Sequence, residues 1–83
     1  MKQVLVVAST YVELDQFKIE NNLYTKTDHY KREGVGEYFF VNHKDPKFNG
    51  KLRGLRYHDV IFLGDKPDGI KMASIANHII PEL

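Results

Sequence analysis

The chain has 83 residues, of which 42% are hydrophobic and 28% charged, and a formal net charge of +1 at pH 7. This length holds one domain, residues 1–83, with a thin core, and the composition excludes a disordered chain. Without cysteine there is no disulfide framework and no thiolate metal site, and a charge balance this even favours no class of partner.

The first predicted elements are a buried strand and a capped helix. Residues 4–7 are a continuous run of branched apolar side chains, which is typical of a strand covered on both faces. Thr10 and Glu13 have the spacing of a capping box. The helix that follows is expected to end near Asn21 and Asn22, which tolerate the left-handed conformation found at helix ends.

The middle of the chain contains a second core strand, at residues 38–41. Before it, residues 25–36 are open to two interpretations: a hairpin that pairs residues 24–30 with 37–41, or a loop. After it, residues 43–54 are predicted as a loop with one helical turn, because Asp-Pro and Asn-Gly pairs interrupt this stretch.

A third core strand is predicted at residues 60–63, followed by a final helix. Asp65 or Asp68 would cap that helix, and Pro81 would stop it. The alternation of strands and helices predicts an α/β fold. It would be a small two-layer or three-layer sandwich with a mostly parallel three-stranded core sheet, to which the hairpin would add a strand. Parallel strands would place residues 8–10, 42–43 and 64–65 at one edge, where α/β sheets usually bind ligands.

The core and the location of the protein follow from the same apolar pattern. No apolar run is long enough for a signal peptide or a membrane span, which predicts a cytoplasmic protein without membrane contact. The side chains expected to form the central core are Leu5, Val7, Phe40, Val41, Ile61, Leu63, Ile75 and Ile79.

One segment suggests an enzyme. Residues 59–69, with Gly64-Asp65 and Asp68, resemble the metal-binding motif of calcineurin-like phosphoesterases. That family also needs an Asp-x-His after its first strand and a later Gly-Asn-His, and residues 6–10 contain neither Asp nor His. Helix capping is therefore the favoured role of Asp65 and Asp68, and a small metal-dependent phosphoesterase-like enzyme is the alternative. No cofactor is predicted, since the turn after the first strand has no glycine or lysine to bind phosphate.

A second resemblance concerns residues 52–56, Leu-Arg-Gly-Leu-Arg, together with the strand that follows them. This stretch resembles the approach to the Walker B strand of helicase and terminase ATPase domains. It also resembles the C-terminal half of small uncharacterised phage-encoded α/β proteins. The Walker A motif and the Walker B acidic pair are missing. The resemblance therefore implies a phage origin, a host-cytoplasm location and a degenerate nucleotide-fold scaffold without ATPase activity.

The candidate binding segment is basic. Between His43 and His58 there are five cationic side chains and one carboxylate, Asp45, with Phe48 and Tyr57 interleaved. Such residues bind nucleic-acid backbones and stack on bases. The segment predicts a non-catalytic binding module for nucleic acid or for a host or phage protein that handles it. The alternatives are a solvated loop and a self-associating structural protein such as a homodimer. The predicted contact residues are Lys44, Lys47, Lys51, Arg53, Arg56 and Tyr57.

Overall fold

Four strands form one sheet between two layers of helices in the computed structural model, which describes residues 1–81. The sheet order is β2-β3-β1-β4. The strands are β1 (Gln3–Ala8), β2 (His29–Arg32), β3 (Gly36–Asn42) and β4 (Asp59–Phe62). The helices are α1 (Tyr11–Glu20), α2 (Phe48–Leu52) and α3 (Gly69–Ala76).

The three strands predicted from apolar runs form the parallel core of the sheet. β1 pairs in parallel with β3 on one side and with β4 on the other. Strand β1 has a neighbouring strand on both sides and helices on both faces, so its residues Leu5 and Val6 have no exposed surface. A continuous apolar run is what such a central strand requires.

The hairpin interpretation of residues 25–36 is confirmed in shorter form. β2 pairs antiparallel with β3, with Arg32 opposite Gly36, and residues 33–35 form the turn. The sheet is therefore mixed: mostly parallel, with one antiparallel pair at its edge.

Helix α1 covers one face of the sheet and begins and ends where its sequence predicts. Thr10 and Glu13 form the reciprocal capping box, and Asn21 is the C-cap. Leu14 is its one buried residue, whereas Val12 is 73% exposed and Ile19 68% exposed. The reciprocal cap therefore adds to the packing of Leu14 and of half-buried Phe17 in stabilising this helix.

Helices α2 and α3 cover the opposite face, which makes the domain a three-layer sandwich. Phe48 and Leu52 of α2 and Ile75 of α3 pack with Leu5 and Val7 of β1 in one buried cluster. The predicted helical turn within residues 43–54 is α2, which has five residues. No helix within residues 1–81 is long and apolar enough to cross a membrane.

The predicted core is correct at its centre and wrong at its margin. Five of the eight predicted core residues are buried: Leu5, Val7, Phe40, Val41 and Ile75. Ile61 and Leu63 are only half-buried because β4 lies at the edge of the sheet, and Ile79 is 43% exposed. The prediction did not include Leu14, Leu23, Phe48, Leu52 and Tyr57, all of which are buried.

Candidate functional site

The carboxyl ends of the parallel strands meet at one edge, as the sequence predicts. The His43 N–H donates to the carbonyl of Ala8 at 2.9 Å. The Nε2 atom of His43 lies 2.8 Å from the carbonyl oxygen of Asp65. His43, only 5% exposed, thus links the ends of all three parallel strands. We call this region the carboxyl edge.

A single carboxylate closes the turn between β1 and α1. Oε1 of Glu13 accepts hydrogen bonds from the Ser9 hydroxyl at 2.8 Å, the Ser9 N–H at 3.0 Å and the Thr10 N–H at 2.9 Å. The Ser9 hydroxyl is the main reason that the pKa of Glu13 lies below its ordinary value. A negative side chain therefore takes the donors that a phosphate would need at this turn.

The remaining polar groups of the carboxyl edge also bond to one another. The carbonyl oxygen of His43 accepts a hydrogen bond from Lys71 Nζ at 2.6 Å. Asn42 Oδ1 accepts one from the Lys44 N–H at 2.9 Å. These contacts hold the start of the turn that leads from β3 into α2, so the first predicted cationic residue projects from a fixed frame.

The two aspartates of the phosphoesterase-like segment have structural contacts. Asp68 is the N-cap of α3, and its carboxylate accepts a hydrogen bond from the Lys71 N–H at 2.9 Å. Helix capping is thereby confirmed for Asp68. Asp65 does not cap the helix, and its carbonyl oxygen contacts His43. Within residues 1–81, no three His, Asp or Glu side chains lie close enough together to hold a metal ion.

Four of the predicted contact residues are exposed on either side of α2. Lys44 and Lys47 precede the helix, and Arg53 and Arg56 follow it. Lys44, Lys47 and Arg53 form no ion pair with any residue of the described part of the chain. Arg56 donates to the carbonyl of Leu55 at 2.9 Å. We call these four residues the basic surface.

Lys51, the fifth predicted cationic residue, is held by two carboxylates. Its Nζ lies 3.1 Å from Asp28 and 3.5 Å from Asp45. The hydrogen bond with Asp28 is the main reason that the pKa of Lys51 is raised. Asp45 also accepts hydrogen bonds from the Lys47 N–H and from the Tyr11 hydroxyl. Lys51 therefore connects α2 to Asp28 and to Asp45. The carboxylate of Asp45 is already engaged in contacts within the protein.

The two aromatic residues of the basic segment face inward. Tyr57 has no exposed surface, and its hydroxyl donates to the carbonyl of Ile75 at 2.6 Å. Burial raises the pKa of Tyr57 to about 12. Phe48 is buried beside it. Neither ring can stack on a ligand unless the layer of α2 and α3 opens.

Tyr11 is an exposed aromatic residue that sequence reasoning missed. It is the first residue of α1, it is 51% exposed, and its hydroxyl donates to Asp45 in the turn before α2. This hydrogen bond with Asp45 is the main reason that the pKa of Tyr11 is raised. The available signal was an aromatic residue directly after a helix cap at the carboxyl edge. Tyr11 brings a ring next to the turn that carries Lys44 and Lys47.

The fold and the site define a class of protein: a small three-layer α/β domain with an exposed basic surface. The polar groups of its carboxyl edge form hydrogen bonds with one another. No known protein-family model, curated protein or solved structure matches this chain.

Proposed function

We propose that the protein is a non-catalytic binding module that contacts the phosphate backbone of nucleic acid through the basic surface. One observation carries the proposal: Lys44, Lys47 and Arg53 are exposed and have no carboxylate partner within residues 1–81. The nearby carboxylate of Asp45 is engaged by the Tyr11 hydroxyl, the backbone N–H of Lys47 and the ammonium group of Lys51. The segment therefore presents positive charge that its own acid does not neutralise.

The local backbone suits close approach of a ligand. Gly54, between Arg53 and Leu55, has a φ of +82°, and a Cβ atom built on it would meet nothing within 4 Å. Glycine adopts this left-handed conformation without strain and leaves the backbone accessible. The turn that carries Arg53 can thus approach a phosphate backbone closely.

The proposed mode of binding is mainly electrostatic. Cationic side chains on phosphates release counterions, so the affinity depends steeply on salt and weakly on sequence. The exposed Tyr11 ring offers a stacking surface beside Lys44 and Lys47, and base stacking tolerates any sequence. The proposal accordingly favours backbone recognition over base readout.

The test is a salt titration with a charge-matched control. Fluorescence anisotropy would measure binding of labelled duplex and single-stranded DNA at several salt concentrations. The double variant Arg53→Ala, Arg56→Ala should bind more weakly, with a log–log salt slope smaller by about two. The control Lys26→Ala, Lys31→Ala removes the same charge from exposed positions outside the basic surface and should keep both affinity and slope.

Two results would contradict this proposal. Equal weakening in both double variants would mean that only net charge matters, and unchanged binding in the Arg53→Ala, Arg56→Ala variant would place the interface elsewhere. Circular dichroism of both variants confirms that they are folded, since exposed charges contribute little to stability.

The burial of Phe48 and Tyr57 favours a second candidate partner, an acidic protein surface. Interleaved aromatic residues were the sequence feature specific to nucleic acid, and neither of these two rings is exposed. Because neither Phe48 nor Tyr57 is exposed, the cations of this segment suit an acidic protein surface as well as they suit phosphates. In the same titration, stronger displacement of labelled DNA by unlabelled nucleic acid than by a polyglutamate chain of equal charge supports the first candidate. Stronger displacement by the polyglutamate chain supports the second.

A further inference from the structure

The two edges of the sheet differ in chemistry. The β2 edge carries the exposed polar or charged side chains of His29, Lys31 and Arg32. Charges of this kind protect an edge strand against pairing with another chain. The β4 edge instead has three consecutive apolar residues, residues 60–62, all only half-buried. It therefore lacks the protection of the other edge.

Helix α1 packs mainly on β1 and β3, and it leaves the sheet face beside β4 partly open, with Ile61 and Leu63 only half-buried there. A groove of about 320 Å³ lies between α1 and the end of β4. The apolar side chains that line it are Phe17 and Leu63, and its polar side chains are Glu13, Gln16 and Glu20. Phe62 also borders the groove, but its side chain packs on the opposite face of the sheet. The groove therefore has an apolar floor and two carboxylates, with no cation among its lining residues.

Among the described residues, pairing on the outer side of β4 is found just before the strand begins, at Tyr57. Tyr57 N–H donates to the carbonyl of His78 at 3.3 Å, and Ile80 N–H donates to the carbonyl of Tyr57 at 2.7 Å. This single bridge, between Tyr57 and Ile79, is parallel. Within the described residues, Asp59–Phe62 themselves pair with β1 alone. Backbone donors and acceptors on the outer side of Asp59–Phe62 therefore have no partner strand within residues 1–81 and can pair with an added strand.

We propose that the outer edge of β4 and the adjoining groove bind an extended segment of a partner protein, which adds as a fifth strand. Main-chain hydrogen bonds to β4 would supply affinity, and alternate side chains would supply specificity. Charge complementarity identifies the occupant: alternate residues of the segment are Lys or Arg facing Glu20, beside the negative charge that Glu13 keeps while it caps α1, and those between them are apolar. A second copy of this chain suits the site less well, because pairing β4 with β4 brings two acidic grooves to the same sheet face.

The probe is a synthetic peptide, acetyl-Lys-Val-Lys-Val-Lys-Val-amide, titrated into ¹⁵N-labelled protein. The expected amide shifts are confined to β4, residues 63–64 and the groove side of α1. Two matched peptides complete the set: one with Glu in place of every Lys, and one with Pro in place of the central Val. The first reverses the charge and the second removes a backbone donor, so both should bind much more weakly.

A pair of protein variants tests the charge argument. Glu20→Lys should weaken binding of the lysine peptide by about fivefold, the upper end for an exposed ion pair. Glu33→Lys makes the same charge change in the exposed turn of the hairpin, and its affinity should equal that of the wild type. The Arg53→Ala, Arg56→Ala variant should also bind the peptide normally, which separates this site from the basic surface.

Three results would overturn the proposal. Equal binding of the proline and valine peptides would exclude strand addition. Equal weakening by Glu20→Lys and Glu33→Lys would mean that peptide binding depends only on the net charge of the protein. Concentration-dependent dimerisation in sedimentation, with amide shifts in β4 and no peptide present, would assign the edge to a second copy of the chain.

Discussion

Gly64, where the chain leaves β4, shows how one residue can decide local geometry. It has a φ of +68°, and a Cβ atom built on it would overlap the carboxylate of Glu13. The same carboxylate closes the turn between β1 and α1 through Ser9 and Thr10. Absence of a side chain at Gly64 therefore permits the contact between the end of β4 and the start of α1.

Replacing Gly64 with Ala is expected to destabilise the protein by about 1–3 kcal/mol, through left-handed strain and displacement of Glu13. The matched control is Gly50→Ala. Gly50 lies inside α2, and its added Cβ would meet nothing within 4 Å. That change should stabilise the protein by about 0.5–1 kcal/mol. Urea unfolding measures both, and a neutral Gly64→Ala variant would contradict the role given to this glycine.

Tyr57 is the residue whose burial makes stability depend on alkaline pH. Its pKa is about 12 in the folded protein against an ordinary value of 10.0. The folded state therefore keeps the phenol proton that the unfolded chain loses first. This contribution to stability is complete below pH 10.0 and disappears as the pH rises through about 12.

Tyr57→Phe should cost about 1 kcal/mol at neutral pH, because the carbonyl of Ile75 loses its hydrogen bond. Between pH 10.0 and 12, the advantage of the wild type should shrink and then reverse, because the variant has no phenol to ionise and two pKa units correspond to about 2.7 kcal/mol. Denaturant curves at several pH values test this. A difference that stays constant over this interval would show that the Tyr57 hydroxyl is accessible to water.

At the scale of the element, α1 combines a reciprocal cap with the packing of Leu14 and Phe17 on the sheet. Leu14 is its one buried residue. The hydroxyl oxygen of Thr10 accepts a hydrogen bond from the Glu13 N–H at 3.2 Å, and the Glu13 carboxylate accepts one from the Thr10 N–H. A helix of ten residues is marginal without tertiary support. The reciprocal cap therefore contributes, together with this packing, to holding α1 in place.

Thr10→Ala should destabilise the protein by about 1 kcal/mol, whereas Thr10→Ser should be close to wild type, because serine keeps the acceptor oxygen. Thermal unfolding of the three proteins gives the comparison. A serine variant as unstable as the alanine variant would show that the methyl group of Thr10 matters, and not its hydroxyl.

At the scale of the whole molecule, buried apolar side chains form one cluster on each face of the sheet. Leu52 is buried in the cluster that holds Leu5, Val7 and Tyr57, whereas Leu63 packs at the margin of the opposite cluster. Leu52→Ala should cost about 2–4 kcal/mol, and Leu63→Ala about half as much. Melting curves would reveal the order, and a larger loss for Leu63→Ala would contradict the difference in burial between the two residues.

Local patterns of the sequence were sufficient for the elements whose cause is local. The apolar runs of β1, β3 and β4, the spacing of Thr10 and Glu13, and a cap of α3 at Asp65 or Asp68 each rest on neighbouring residues, and the structure selects Asp68. The alternation of strands and helices then implied parallel pairing and a shared carboxyl edge, because connections between parallel neighbours must cross the sheet. Each of these features appears in the structure.

Tertiary structure alone decided which apolar and charged residues are accessible. Residues 60–63 read as a core strand, but the order of strands puts β4 at an edge and leaves it half-buried. Tyr57 read as a surface aromatic, yet the packing of α2 and α3 encloses it. Lys51 read as a binding cation, but Asp28, 23 positions earlier in the chain, lies beside it in the fold. Burial and ion pairing depend on residues distant in sequence, which a local pattern does not contain.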